Sequence, residues 1–163
     1  MKNRISVTLI ELIIAMAISV FILGVLVASY IAGTSIFNSE MDRSAAFLEA
    51  NKGISTLRID LRNCLELTSA ASASISFWAQ DANSNGSKEA GEIFMYSWNG
   101  TPGSPLIRTV AGTNTMVAKN ISSFSLTYDS ASLVSIKQVN VKISSSSGRD
   151  VATLESSVKL RNL

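Results

Sequence analysis

The sequence predicts an α+β protein, with a long N-terminal helix (a transmembrane half followed by an amphipathic half) packed on an antiparallel β-sheet. Three observations predict it. Residues 7–32, VTLIELIIAMAISVFILGVLVASYIA, form an apolar run in which Glu11 is the only charge. From residue 34 the composition is mixed at helical spacing, and no proline interrupts the chain before Pro102. From residue 69 the chain is rich in Ser, Thr and Asn, with short segments that alternate apolar and polar between turn dipeptides.

The apolar run comes first. A hydrocarbon core of about 30 Å needs about 20 helical residues to cross, so the run is long enough to span a bilayer. A helix satisfies its own backbone groups, which lipid cannot do. Glu11 is the awkward residue, because a carboxylate near the bilayer centre costs at least about 2.5 kcal/mol and calls for compensation. Ahead of the run, residues 1–6 are short and carry Lys2 and Arg4. The positive-inside rule keeps that end cytoplasmic and sends the C-terminal domain across. The run continues past Gly24 to Tyr30 and Ile31 without a small-residue cleavage site, unlike an ordinary secretory signal.

The second half of the helix, residues 34–66, shows an apolar stripe of Phe37, Met41, Leu48, Ile54, Leu57, Leu61 and Cys64. Glu40, Arg43, Glu49, Lys52, Arg58 and Arg62 fall mostly off it. The stripe predicts a docking face for the chain's own sheet. Gly24, Gly33 and Gly53 are candidate points of bending.

Residues 69–163 read as the β domain. Strand candidates are 75–77, 93–98, 106–110 and 122–128, the last with Phe124, Leu126 and Tyr128 on one face. Val134 and Ile136 alternate, then Val139, Val141 and Ile143 resume on the opposite phase, which predicts a bulge near Lys137 and Gln138. Leu154, Ser156, Val158 and Leu160 mark the last strand. Strands that follow one another without helices between them predict an antiparallel sheet.

Composition excludes several chemistries. The net charge of +2 equals the contribution of Lys2 and Arg4, so no basic stripe remains to bind nucleic acid. The chain has no histidine, which removes Ser-His-Asp and Cys-His catalysis and His-ligated zinc. With one cysteine, Cys64, no intramolecular disulfide can form. We expect no enzyme here.

Residues 6–12, SVTLIEL, follow a basic leader and open a long apolar run. In this they resemble the type IV pilin and pseudopilin family. Thr8, Leu9, Ile10, Glu11 and Leu12 match the family pattern residue by residue, while Ser6 and Val7 stand where the family usually has Gly and Phe. The resemblance implies removal of residues 1–6 by prepilin peptidase between Ser6 and Val7, and N-methylation of Val7. It also implies assembly through Glu11, whose carboxylate would pair with the new α-amino group of a neighbouring subunit. The order of motifs after the helix resembles minor pilins and J-type pseudopilins. The family then implies a single-pass protein of the bacterial inner membrane with a periplasmic or extracellular domain. Its expected partners are membrane lipid, the inner-membrane assembly platform and other pilin or pseudopilin subunits in a filament, with a place near the tip or in initiation.

One loop stands apart. Residues 81–92, DANSNGSKEAGE, fit D-x-[DN]-x-[DN]-G-x5-E over their whole length. Ca²⁺ takes six to eight oxygens at about 2.3–2.6 Å. Asp81, Asn83 and Asn85 would converge because Gly86 permits the sharp turn. Ser87 would offer its carbonyl, Glu89 would act through water, and Glu92 would close the site. A plain polar turn is the competing reading. The alternative function is accordingly an uncleaved membrane-anchored domain that binds a partner with calcium.

Overall fold

The structure is a computed structural model, and it describes residues 8–160. One helix, α1 (Leu9–Arg62, 54 residues), is followed by β1 (Glu66–Ala70), β2 (Ser74–Trp78), β3 (Ile93–Ser97), β4 (Ser104–Val110) and β5 (Thr113–Tyr128). A single 3₁₀ turn (Leu133–Ser135) leads to β6 (Gln138–Ser147) and β7 (Asp150–Lys159). The seven strands form one sheet in sequence order, each antiparallel to the next. The fold is therefore the α+β arrangement expected, with the helix packed on the sheet.

The chain divides into two compact units, Met1–Glu40 and Met41–Leu163. In the first, every described residue is exposed, and the helix is long and apolar enough to cross a membrane. The second holds the whole core. There the buried side of α1 is Ala46, Ala50, Gly53, Ile54, Leu57 and Leu61. It meets Ile75, Phe77, Tyr96, Leu106, Ala118, Ile121, Phe124, Leu126, Val139, Val141 and Ile143 from the inner face of the sheet. Alternation along β6, with Val139, Val141 and Ile143 buried and Asn140 and Lys142 exposed, is the period-two pattern of a half-buried strand.

The stripe read from the sequence is only half right. Ile54, Leu57, Leu61 and Cys64 are buried, but Phe37, Met41 and Leu48 are 64%, 57% and 62% exposed. Ahead of Ile54 the helix docks through the small residues Ala46, Ala50 and Gly53. A Cβ on Gly53 would lie 3.1 Å from Ile143 Cδ1 and 3.3 Å from the Ala118 methyl, so the sheet supplies the bulk and the helix supplies the space.

Three further expectations are corrected. The helix ends at Arg62 and not near residue 66, because β1 begins at Glu66 and pairs with β2. The phase change near Lys137 is no bulge: Val134 belongs to the 3₁₀ turn and is 88% exposed, and β6 starts only at Gln138. The irregularity in the β5–β6 pairing lies between Ile121 and Ser123. Finally, β5 reaches back to Thr113, where Ala111 (φ 51°) and Gly112 (φ 76°) make a two-residue hairpin from β4.

Polar contacts fix the helix on the sheet along one flank. Ser147 Oγ donates to Asp42 Oδ1 (3.0 Å) at the β6–β7 turn, and the Lys119 backbone N–H donates to Glu49 Oε2 (2.7 Å). Tyr96 Oη donates to Asp60 Oδ2 (2.5 Å), and Arg108 Nε lies 2.9 Å from the same oxygen as an ion pair. The Nε–H of Arg108 makes no hydrogen bond; its guanidinium sits 4.1 Å over the Phe94 ring. Spacings of about two and three helical turns put the three acids on one side of α1.

Candidate functional site

Two places carry the residues singled out from the sequence. The first is the start of α1. Ser6 and Val7 lie outside the described residues. Thr8 and Glu11 are described, and they form a reciprocal cap. Glu11 Oε2 accepts from Thr8 N–H (2.8 Å) and from Thr8 Oγ1 (2.9 Å), while Glu11 N–H faces Thr8 Oγ1 at 3.4 Å. Leu12 N–H donates to the Thr8 carbonyl (3.2 Å), which makes Thr8 the N-cap and Glu11 the third helical residue. This is a capping box, T-x-x-E directly ahead of an apolar run. The T-x-x-E spacing ahead of an apolar run is legible in the sequence itself. Around the pair, Leu9, Ile10, Leu12, Ile13 and Ile14 are all more than half exposed. Glu11 thus opens an apolar surface that the described residues leave uncovered.

The second place is the loop between β2 and β3, residues 81–92. Gly86 (φ 70°) is in the left-handed region the sharp turn requires, and Ser84 (φ 57°) precedes it in the same region. Asp81 Oδ1 and Oδ2 accept from the N–H groups of Asn85 (3.1 Å) and Gly86 (2.9 Å). Asn83 Oδ1 also accepts from Asn85 N–H (3.1 Å), and Asn85 Oδ1 accepts from Ser87 N–H (2.8 Å). The two amide nitrogens, Nδ2 of Asn83 and of Asn85, both donate to Glu89 Oε1 at 2.9 Å. Asp81, Asn83, Asn85, Ser87 and Glu89 are therefore brought together.

Glu92 plays a different part from the one its position suggested. It is 3% exposed, and its carboxylate accepts from Trp78 Nε1 (3.1 Å), Ala82 N–H (2.7 Å) and Glu89 N–H (3.4 Å). It ties the base of the loop to β2. Lys88 Nζ meets Glu66 Oε1 at 2.5 Å and tethers the loop to β1 as well. Trp78 and Lys88 were not expected as loop anchors, because their partners are far away in sequence. Among the described residues, no three acidic or cysteine side chains converge as a metal would need. Any oxygen set in this loop would therefore have to draw on amide and backbone oxygens.

No family model, curated protein or solved structure matches this chain.

Proposed function

We propose that this chain is a minor pilin-like structural subunit of a type IV pilus or a type II secretion pseudopilus. In this reading prepilin peptidase cuts between Ser6 and Val7, Val7 is N-methylated, and the subunit waits in the inner membrane with its β domain on the periplasmic side. The assembly platform then moves it into a filament beside other pilin or pseudopilin subunits, near the tip or in initiation. It needs no catalytic residue. The observation that carries the reading is a 54-residue helix whose apolar first part is exposed all round and holds Glu11 as its only carboxylate before Glu40. A helix that apolar on every side needs lipid or other helices around it. A neighbour's amine would turn the cost of burying Glu11 into a register contact between subunits.

Intact mass of the protein extracted from membranes tests this. The mature mass, lacking residues 1–6 and carrying one added methyl, is expected, together with loss of filament incorporation on Glu11→Ala. Retention of residues 1–6 with unchanged assembly of Glu11→Ala would refute it and favour the second reading, a membrane-anchored domain that is never polymerised.

That second reading draws on the loop. The acceptors at Asp81, Asn83 and Asn85 wrap the backbone so that their oxygens lie on one turn, as a calcium loop requires. We propose Ca²⁺ as its ligand in either reading. Calorimetry of wild type against Asp81→Ala decides it, with heat expected only for wild type. Glu92 is left in place because its removal would free Trp78 and Ala82 at the base of the loop.

A further inference from the structure

We propose that Thr8 is the positioning residue of Glu11. It holds the carboxylate on the end of its own helix while the subunit is a single helix in lipid. Pairing with a neighbour's amine is then an exchange of partners and not the rescue of a bare charge. The neighbour in this statement rests on the filament-subunit reading; the cap rests on the geometry of this chain alone.

A helix that opens at the edge of a bilayer, directly ahead of an apolar run, has two polar needs at one end. Its first N–H groups have no intrahelical acceptors, and lipid offers none. Glu11 has the opposite need, a carboxylate without donors. The capping box answers both, because Thr8 gives Glu11 Oε2 two donors, at 2.8 and 2.9 Å, and receives Glu11 N–H on its own hydroxyl at 3.4 Å. Among the described residues of the span, no other side chain bonds Glu11. The next hydroxyl along the span, Ser19, is turned back onto the Ala15 carbonyl at 2.7 Å.

Two details fit an exchange. Removal of residues 1–6 would leave the Val7–Thr8 amide intact, so the Thr8 N–H donor survives processing. Both Thr8 bonds fall on Oε2, and Oε1 takes none from Thr8. An incoming ammonium can therefore engage Oε1 before the cap is broken. Glutamine completes a capping box as glutamate does but carries no charge, so Glu11→Gln separates the cap from the pairing.

The test uses the full chain in vesicles of phosphatidylethanolamine and phosphatidylglycerol, with a lipid-soluble carbodiimide as probe. Glu11 is the only carboxyl before Glu40, so peptide mass spectrometry reports on it alone. A carboxylate engaged as a cap is less available than a loose one. Thr8→Val should label about fivefold faster than wild type, the effect of losing an N-cap hydroxyl, and Thr8→Ser should return close to the wild-type rate. Equal rates in wild type and Thr8→Val overturn the proposal, as does a Thr8→Ser rate that stays with Thr8→Val. The measurement needs no filament, so its failure is distinct from failure of the functional reading. Wild-type entry of Glu11→Gln into filaments would leave the cap standing and overturn the exchange.

Discussion

Removing the Asp60 carboxylate should be among the most damaging single changes to the β domain. Asp60 Oδ2 serves two partners at once, the Tyr96 hydroxyl at 2.5 Å and Arg108 Nε at 2.9 Å, and the Asp60 side chain is only 15% exposed. Asp60→Ala strips the acceptor from a fully buried tyrosine and leaves Arg108 facing an empty site. Breaking a buried pair by deleting one partner costs about 3–5 kcal/mol. Arg108 keeps 28% side-chain exposure and its place over Phe94, so the lower end, about 3 kcal/mol, is expected. Tyr96→Phe alone loses one hydrogen bond to a charged acceptor, about 1.5 kcal/mol. Once Asp60 is gone that hydroxyl has lost its acceptor, so the double variant should cost about 1.5 kcal/mol less than the sum of the singles. Urea unfolding of the unit Met41–Leu163 measures all three. With a slope of about 1.5 kcal/mol per molar, Asp60→Ala moves the midpoint down by about 2 M. A loss under about 1 kcal/mol, or additivity within about 0.5 kcal/mol, would refute the view that one carboxylate holds both partners.

Other variants probe the helix–sheet contact. Gly148 sits at φ 55°, and a Cβ there would run into the Asp42 carboxylate. Gly148→Ala should therefore cost about 1–3 kcal/mol in urea unfolding, and adding Asp42→Ala should recover part of that loss. Gly53→Val should destabilise by more than about 2 kcal/mol, because its methyls would enter the space already closed by Ile143 and Ala118. Burial pushes the Cys64 thiol up to about 12 from 9.0 and Tyr128 up to about 12 from 10.0, and burial together with Asp60 raises Tyr96 further. A raised acid is protonated in the folded state and ionised in the unfolded one, so its contribution is complete below pH 9 and is lost as pH rises toward 12. Circular dichroism should show stability falling across that interval, less steeply in Cys64→Ala, and a thiol reagent at pH 8 should modify Cys64 only after urea is added.

The glycine and acid positions of α1 take their roles from contacts that are remote in the chain. Period-two alternation marks residues 124–128 of β5 and 139–143 of β6, where every second residue reaches the core, but it misses residues 113–121 of β5, where Val117 and Ala118 are buried side by side. The helix was less legible. In its apolar stripe Phe37, Met41 and Leu48 are exposed, while Ala46, Ala50 and Gly53 dock. Periodicity records which faces are apolar, and here two sides of the helix are. Choosing between them depends on how much bulk the opposing sheet brings. Glu49 falls off the stripe, and nothing near Asp42 or Asp60 in sequence marks them, because the partners of these three acids, Lys119, Ser147 and Tyr96, are remote in the chain.

Local patterns by themselves determined the membrane-length apolar run with Glu11 as its one carboxylate, the antiparallel sheet and the loop turning on Gly86. Each follows from residues close together in sequence: an apolar run, a period, a glycine where φ must be positive. The capping box belongs with them, since Thr8 and Glu11 are one helical turn apart. Only the tertiary structure decided which side of α1 is buried, that Glu92 is an interior acceptor for Trp78 and Ala82, and that three helix acids anchor the sheet. Those outcomes depend on groups brought together by folding. Whether such a side chain is buried is set by the partner it meets there, and its neighbours in sequence do not name that partner.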